Sequence, residues 1–407
     1  MLKTKTLNYE KIVKDLSKQN NEPSWLLDKR LKALKIFLNS IMPRFVYGIN
    51  MDLNIDLDLD KINIENTAKQ KSKIEIKNSS KDIKIFNLQD MLKNHENIVK
   101  EKFMSSIDAN KFTSFHNAFL KDIIFIYAPK NINVKEPIEI TAVNSGVDFE
   151  HIIIIAENNA SLSVISKSGS SDKASYRSKI VEIFAADNTT VNYNDIQLLS
   201  QETSNFTIKR AIAKENSSIN WLDLCFGSKT TLSGTITALD GENSNSDYNG
   251  LFFSDRVQKF DIGAHSIHTA PNTISKMNTK GITEDSSKTV SHGSIVIKDN
   301  AKNSDAKQKH DVLVLGKNAV ADAIPNLEID NHDVKCAHGA SIGRIDKEKL
   351  FYMESRGLCK ELAIREYAKG FFNPILNKIQ YQKLKDNIRE IINKKIKVEL
   401  KCCTQKK

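Results

Sequence analysis

Cys336 and His338, separated by one residue, are the pair in this chain best suited by type and spacing to do chemistry. They lie in Leu-Glu-Ile-Asp-Asn-His-Asp-Val-Lys-Cys-Ala-His-Gly-Ala-Ser-Ile-Gly, residues 327 to 343, where Asp333 to His338 alternates as a strand does. Side chains two apart on a strand share a face, so Val334, Cys336 and His338 are expected to point the same way. A thiol and an imidazole whose backbones are roughly 7 Å apart can converge on one metal ion or on two atoms of a cluster. Spacing alone leaves a plainer reading open: a small buried cysteine beside a hydrogen-bonded surface histidine. One Cys-x-His is a weak metal signal without further ligands.

The elements around that pair have a period. From about Phe115, short β-branched runs alternate with small polar turns, and Asn recurs in the turns at positions 159, 188, 216, 243, 272 and 300. The successive intervals are 29, 28, 27, 29 and 28 residues. A repeat of that length indicates a solenoid, and the β-branched content makes it a β-solenoid in which each coil pairs with the next. Hairpins of a sandwich would return in about 8 to 12 residues instead. Asn suits the corners because it tolerates left-handed backbone angles. One period of 28 before His338 falls on His310. Residues one coil apart stack at roughly 4.8 Å, so Cys336, His338 and His310 are expected to form one patch on adjoining coils. The alternative for His310 is an exposed strand residue.

Helical segments flank the repeat. Leu27, Leu31, Leu34, Phe37 and Leu38 recur every three to four residues after Ser24, a candidate N-cap, with Pro43 as a stop. Residues 51–92 read as peripheral strand and loop, followed by a short helix from Leu88 to Lys102. Asp56-x-Asp58-x-Asp60 lacks the glycine and the glutamate of a calcium loop and is set aside. After Ile345, Asp346 can cap a helix from Lys347, and a second helix is expected to end at Gly370. A third is expected from Asn373-Pro374, with Ile375, Ile379, Leu384, Ile388 and Ile392 on one side. The division expected is 1–112 mixed and helical, 113–345 β-helix and 346–407 helical, the last a cap for a solenoid end or a surface for a partner.

Composition narrows the function. The 407 residues exceed one ordinary compact core. The net charge of +10 comes from lysines mixed with acidic residues, which points to a solvated surface and not to nucleic acid. Five cysteines make no disulfide framework and fit a reducing compartment. The N-terminus has no apolar signal core, and the apolar runs are far shorter than the roughly 20 residues of a spanning helix. A cytoplasmic protein without membrane segments is expected. Gly227-Ser228-Lys229-Thr230-Thr231 lacks the contiguous Gly-Lys-Ser/Thr of a phosphate loop. Cys225 reads as core, and the adjacent Cys402 and Cys403 as incidental. A carbohydrate-acting β-helix enzyme would want a secretion signal.

Several phrases together resemble a known family: Pro23 to Phe37 with Trp25, Arg30 and Ala33; Lys209-Arg210-Ala211; Gly263 to Thr273; and Leu327 to Gly357 with Leu350-Phe351-Tyr352. They are similar to the SufB/SufD family, the scaffold subunits that assemble iron–sulfur clusters, over about Phe115 to Ile379. Asp333-Val334-Lys335-Cys336-Ala337-His338-Gly339-Ala340 looks most like the SufD form. Where SufB chains carry an acceptor cysteine before an aspartate, this chain has His310, and where they carry a second thiol it has Ala213. The resemblance implies a mainly β, right-handed parallel β-helix with helical domains at both ends, acting as a non-catalytic scaffold. It implies pairing with a SufB-type paralogue, or with itself as a SufB-like homodimer, and docking of a SufC-type ATPase on the C-terminal helices. Cys336 and His338 would then be metal ligands, and with His310 they would hold iron or a transient iron–sulfur cluster. His265 and His268 are expected to be structural.

Overall fold

The computed structural model describes residues 2–47, 51–64, 72–173 and 175–396, with side chains from Asn8 onward. Cys402 and Cys403 lie outside the described residues. Two nine-stranded sheets face each other. One runs from Lys73–Lys77 to Val334–Gly343, the other from Lys84–Phe86 to Val320–Ile329. The chain alternates between them, so each coil adds one strand to each sheet, parallel and in register with the coil before. Only the first pairing in each sheet is antiparallel. The fold is a parallel β-solenoid, as the repeat implies.

Asparagine sets one corner. Asn131, Asn159, Asn188, Asn216, Asn243, Asn272 and Asn303 all have left-handed φ, between 54° and 63°. Their carboxamides also stack: Asn216 donates to Asn188 at 3.2 Å and Asn243 to Asn216 at 3.1 Å. The last corner differs from the sequence expectation. It is Asn303, not Asn300, whose side chain donates to Asn272 at 3.2 Å. Earlier coils hold 26 to 29 residues, as in Ile138 opposite Val164 (164 − 138 = 26) and Thr190 opposite Ser161 (190 − 161 = 29). Ile274 pairs with Asp305 and Ser304 with Val334, so the last two coils hold 31 and 30 (305 − 274; 334 − 304).

The interior is half apolar and half ionic. Ile154, Ile183, Ala211, Val191 and Trp221 belong to a continuous hydrocarbon core. Across the remaining width, charges alternate without access to water. Glu150 meets Arg177 at 2.8 Å and Lys179 at 3.3 Å; Asp195 meets Lys179 at 2.8 Å and Lys209 at 3.3 Å; Asp223 meets Lys209 at 3.0 Å. Three cations and three carboxylates cancel. Burial raises the Asp195 carboxyl, but Lys179 and Lys209 more than offset it and hold it below the usual range. Removing one member would strand a buried charge, at a cost of about 3–5 kcal/mol.

Helices cover both outer faces. α1 (Leu2–Gln19), α2 (Ser24–Asn39), α3 (Leu88–Lys102) and α4 (Lys111–Phe119) pack Leu26, Phe37, Phe103 and Phe115 on Phe125, Phe149 and Ile153 of one sheet. α5 (Lys347–Ser355), α6 (Lys360–Leu376) and α7 (Gln382–Lys395) follow the solenoid. Phe372, Ile375, Leu384, Ile388 and Ile392 cover Ile196, Leu224 and Leu251 of the other sheet. The α3 span and the Asp346 cap, which accepts from Glu348 N at 2.8 Å, match the sequence reading. The charged start of the chain forms α1, within the helical N-terminal part that the sequence implies. Two details differ. The α2 cap is Pro23, with Ser24 already helical. α6 runs through Gly370 and Pro374, so the third helix starts at Gln382. Pro374 lies in the last turn of α6, between the buried Phe372 and the buried Ile375 and Leu376, whose packing offsets the proline penalty of about 3 kcal/mol.

The corner asparagines give a direct test. Asn216→Ala forces a side chain with no local hydrogen bond into φ near 54° and breaks two carboxamide contacts. Its cost is about 1–2 kcal/mol in urea unfolding, whereas Asn216→Gly stays within about 0.5 kcal/mol.

Candidate functional site

In a parallel, in-register solenoid each interior position belongs to a column running from coil to coil. One column reads Val191, Ile219, Ser246, Ser275, Ala306, Cys336. The next reads Tyr193, Trp221, Tyr248, Met277, Gln308, His338. Cys336 and His338 are therefore the terminal rungs of adjacent interior columns, side by side on the inward face of the last strand. Cys336 packs partly against the hydrocarbon core while His338 is exposed. Both conditions follow from position: among the described residues the last coil has a neighbour on one side only. Around them, Leu327 and Val334 also pack partly on the core, and Ile329 and Ile342 are each 41% exposed. The result is an apolar mouth holding one thiol and one imidazole, bordered by two strands whose outer edges carry no partner among the described residues.

His310 does not stack on His338. Its column is Asp195, Asp223, Gly250, Thr279, His310, Ala340, and the residue beneath His338 is Gln308. The two added residues in the last coil shift the alignment by two positions, which keeps His310 inward but moves it one column sideways. It is also not an exposed strand residue. Only 1% of its surface is accessible, and burial lowers its imidazole pKa to about 4, so it is neutral at pH 7. Its Nδ1 lies 2.7 Å from Ser291 Oγ, while its Nε2 has no partner among the described residues.

The Cys336 thiol is pushed up from its ordinary pKa, first by burial and then by Asp305, against a backbone hydrogen bond from Ala337. It is a protonated thiol at neutral pH, and its own surroundings do not activate it. Two donors of borderline and soft character suit iron or zinc but fill half of a tetrahedral shell. No group of three His, Cys, Asp or Glu placed to hold a metal occurs among the described residues. Within one chain the mouth offers two donors of this kind, on its outward-facing side.

Other residues singled out in the sequence have structural roles. His268 is buried with both nitrogens engaged, at 2.7 Å to Thr273 and 2.8 Å to Ser275. Cys225 is core. Ser228 takes a left-handed corner, so the phosphate-loop look-alike is a solenoid turn. Asp58 caps a short 3-10 turn at Leu59–Lys61. His265 lies tilted against His292, which bonds Asp261 at 2.8 Å; Tyr47 donates to the same carboxylate and ties the segment around Met51 and Leu53 onto the outer face. That Tyr–Asp–His link was not legible in the sequence, since Tyr47 is 214 residues from Asp261. Ser291, Gly293 and Gln308 also escaped notice, having no spacing motif.

Comparison with known proteins gives a consistent family. A model described as "SUF system FeS cluster assembly, SufBD core domain" matches residues 139–371. The chain is 30% identical over 416 residues to the iron–sulfur cluster assembly SufBD family protein of Staphylococcus haemolyticus, spanning 91% of this chain and 89% of that one. The protein of the same description from Staphylococcus aureus strain MRSA252 is 30% identical over the same shares of the two chains. One from Staphylococcus epidermidis is 29% identical over 415 residues. No helix among the described residues is long and apolar enough to cross a membrane.

Two measurements probe these environments. His268 has a folded pKa lowered to about 4 by burial, against about 6.5 unfolded. Its contribution is complete above pH 6.5 and is lost as pH falls from about 6.5 toward about 4, because only the unfolded chain takes the proton. The loss is about 1.4 kcal/mol per pH unit in equilibrium unfolding. His268→Gln removes one proton's share of that slope. Separately, Cys336 in the isolated chain is expected to alkylate several-fold more slowly than a free thiol at pH 7.5, read peptide by peptide with mass spectrometry, and Cys225 only on unfolding.

Proposed function

Because the chain belongs to the SufBD family of iron–sulfur cluster assembly proteins, we propose that it is a SufD-like scaffold subunit whose open solenoid mouth joins a SufB-type paralogue. The observation that carries this reading is the pairing of a thiol and an imidazole on the last interior rungs, beside unpaired strand edges. A strand edge is a template for another chain's strand. A partner added there would cover the apolar rim at Val320, Ile329 and Ile342. It would also bring its own donors to the incomplete half of the site. Iron and sulfide are cargo in this scheme, and Cys336 and His338 hold them from one side. Half of a coordination shell per chain favours release when the chains separate, which a carrier needs.

The C-terminal helices are the proposed dock for a SufC-type ATPase. α5 buries none of its residues, and its Phe351 and Tyr352 are 72% and 60% exposed. Exposed aromatics on a helix attached directly to the last strand suit a partner whose motion is to be transmitted to the mouth. The scaffold itself performs no turnover in this reading. It works in the cytoplasm, where thiols remain reduced.

Co-expression with a SufB-type paralogue and the ATPase subunit tests the proposal. The purified assembly is expected to bind iron and sulfide under anaerobic reconstitution, with Cys336→Ala and His338→Ala each losing at least about half. Equal yields in all three would remove both residues from the site. Ile329→Lys with Ile342→Lys should abolish pairing in size-exclusion chromatography while leaving the monomer's melt nearly unchanged. Phe351→Ala with Tyr352→Ala should release the ATPase alone. A chain that dimerises by itself and holds the chromophore without a paralogue would instead identify a SufB-like homodimeric scaffold.

A further inference from the structure

One coil inside the mouth, two buried polar atoms are aimed at the same space and have no partner among the described residues. Gln308 Oε1 and His310 Nε2 both lack hydrogen bonds, and their residues are 3% and 1% exposed. Both atoms lie over Gly293, where an added Cβ would stand 2.1 Å from Gln308 Oε1 and 2.6 Å from His310 Nε2. Their orientations are set from behind. Gln308 Nε2 donates to the Asn326 carbonyl at 2.8 Å, which leaves Oε1 as the free end. His310 Nδ1 is held by Ser291 Oγ at 2.7 Å, which leaves Nε2 forward. An imidazole with one nitrogen anchored and the other bare is the arrangement of a metal-ligating histidine. A neutral amide oxygen beside it is a borderline-to-hard donor.

We propose that Gln308 Oε1 and His310 Nε2, over Gly293, form an inner site for a divalent transition-metal cation, separate from Cys336 and His338. That the biological cation is ferrous iron rests on the scaffold reading above; the site's existence does not. His338 stands directly outside Gln308 in the same column, so the inner site is reached through the mouth. Gly293 is required because a Cβ there would collide with both donor atoms and push them from these positions. Both donors are neutral, so a buried divalent cation is held weakly until an anion joins it. That fits a loading position ahead of a thiolate and sulfide, which bring negative charge.

Cobalt(II) binding to the purified full-length chain under anaerobic conditions separates the two sites. Wild type is expected to show ligand-field absorption from bound cobalt together with a near-ultraviolet thiolate-to-cobalt band. Cys336→Ala with His338→Ala should lose the thiolate band and keep one equivalent with its ligand-field absorption. Gly293→Ala and His310→Ala should each lower affinity for that equivalent by at least about tenfold, and Gln308→Glu should raise it by about the same factor by adding the missing charge. Circular dichroism melts establish that each variant is folded. If Gly293→Ala unfolds, His310→Ala and Gln308→Leu carry the test. Cobalt affinity unchanged in the folded inner-site variants would overturn the proposal and leave a buried water as the occupant. So would loss of all cobalt from the Cys336/His338 double variant. A thiolate band that persists in the double variant would instead count against the mouth and leave the inner site standing.

Discussion

Every coil of this molecule is completed by the coil that follows it. In-register parallel pairing makes each strand's outer edge the template for the next strand, and makes each interior side chain the floor for the one above. The arrangement needs a means of stopping at both ends. At the start, antiparallel strands at Lys73–Lys77 and Lys84–Phe86 turn the edges aside. At the finish, Val320–Ile329 and Val334–Gly343 have strand neighbours on one side only among the described residues. The exposure of Cys336 and His338 follows from this constraint. The same residues one coil earlier would be as buried as Ala306 and Gln308.

The columns also grade the interior chemically. In the middle coils, Asp195 and Asp223 are locked by Lys179 and Lys209, with carboxylates and ammonium groups matched in number. Toward the mouth the same column passes through Gly250 and Thr279 to the neutral His310. The ion pairs neutralise one another's charge, although Asp223 Oδ1 and Arg177 Nε lack hydrogen-bond partners among the described residues. Toward the mouth, Gln308 Oε1 and His310 Nε2 lack partners among the described residues while their other nitrogens are held by Asn326 and Ser291. The interior is thus charged and paired in its middle and neutral toward its end. Along its sides, the N-terminal helices and the Tyr47–Asp261 tie cover one outer face and α6 and α7 the other.

The sequence by itself determined the repeat, the corner asparagines, the spans of α3 and α5, and the shared face of Cys336 and His338. Each is encoded locally: a left-handed angle selects Asn, alternation sets a strand's faces, and Asp346 caps the helix beside it. Tertiary structure alone decided the alignment of His310, because stacking depends on the exact length of each coil. The last coil holds 30 residues, not 28, so His338 stacks on Gln308, two positions before His310. It also decided the convergence of Gln308, His310, Ser291 and Gly293, and the link from Tyr47 to Asp261. Those contacts join different strands or distant segments, and short-range periodicity carries no record of which side chains a given coil length will bring together.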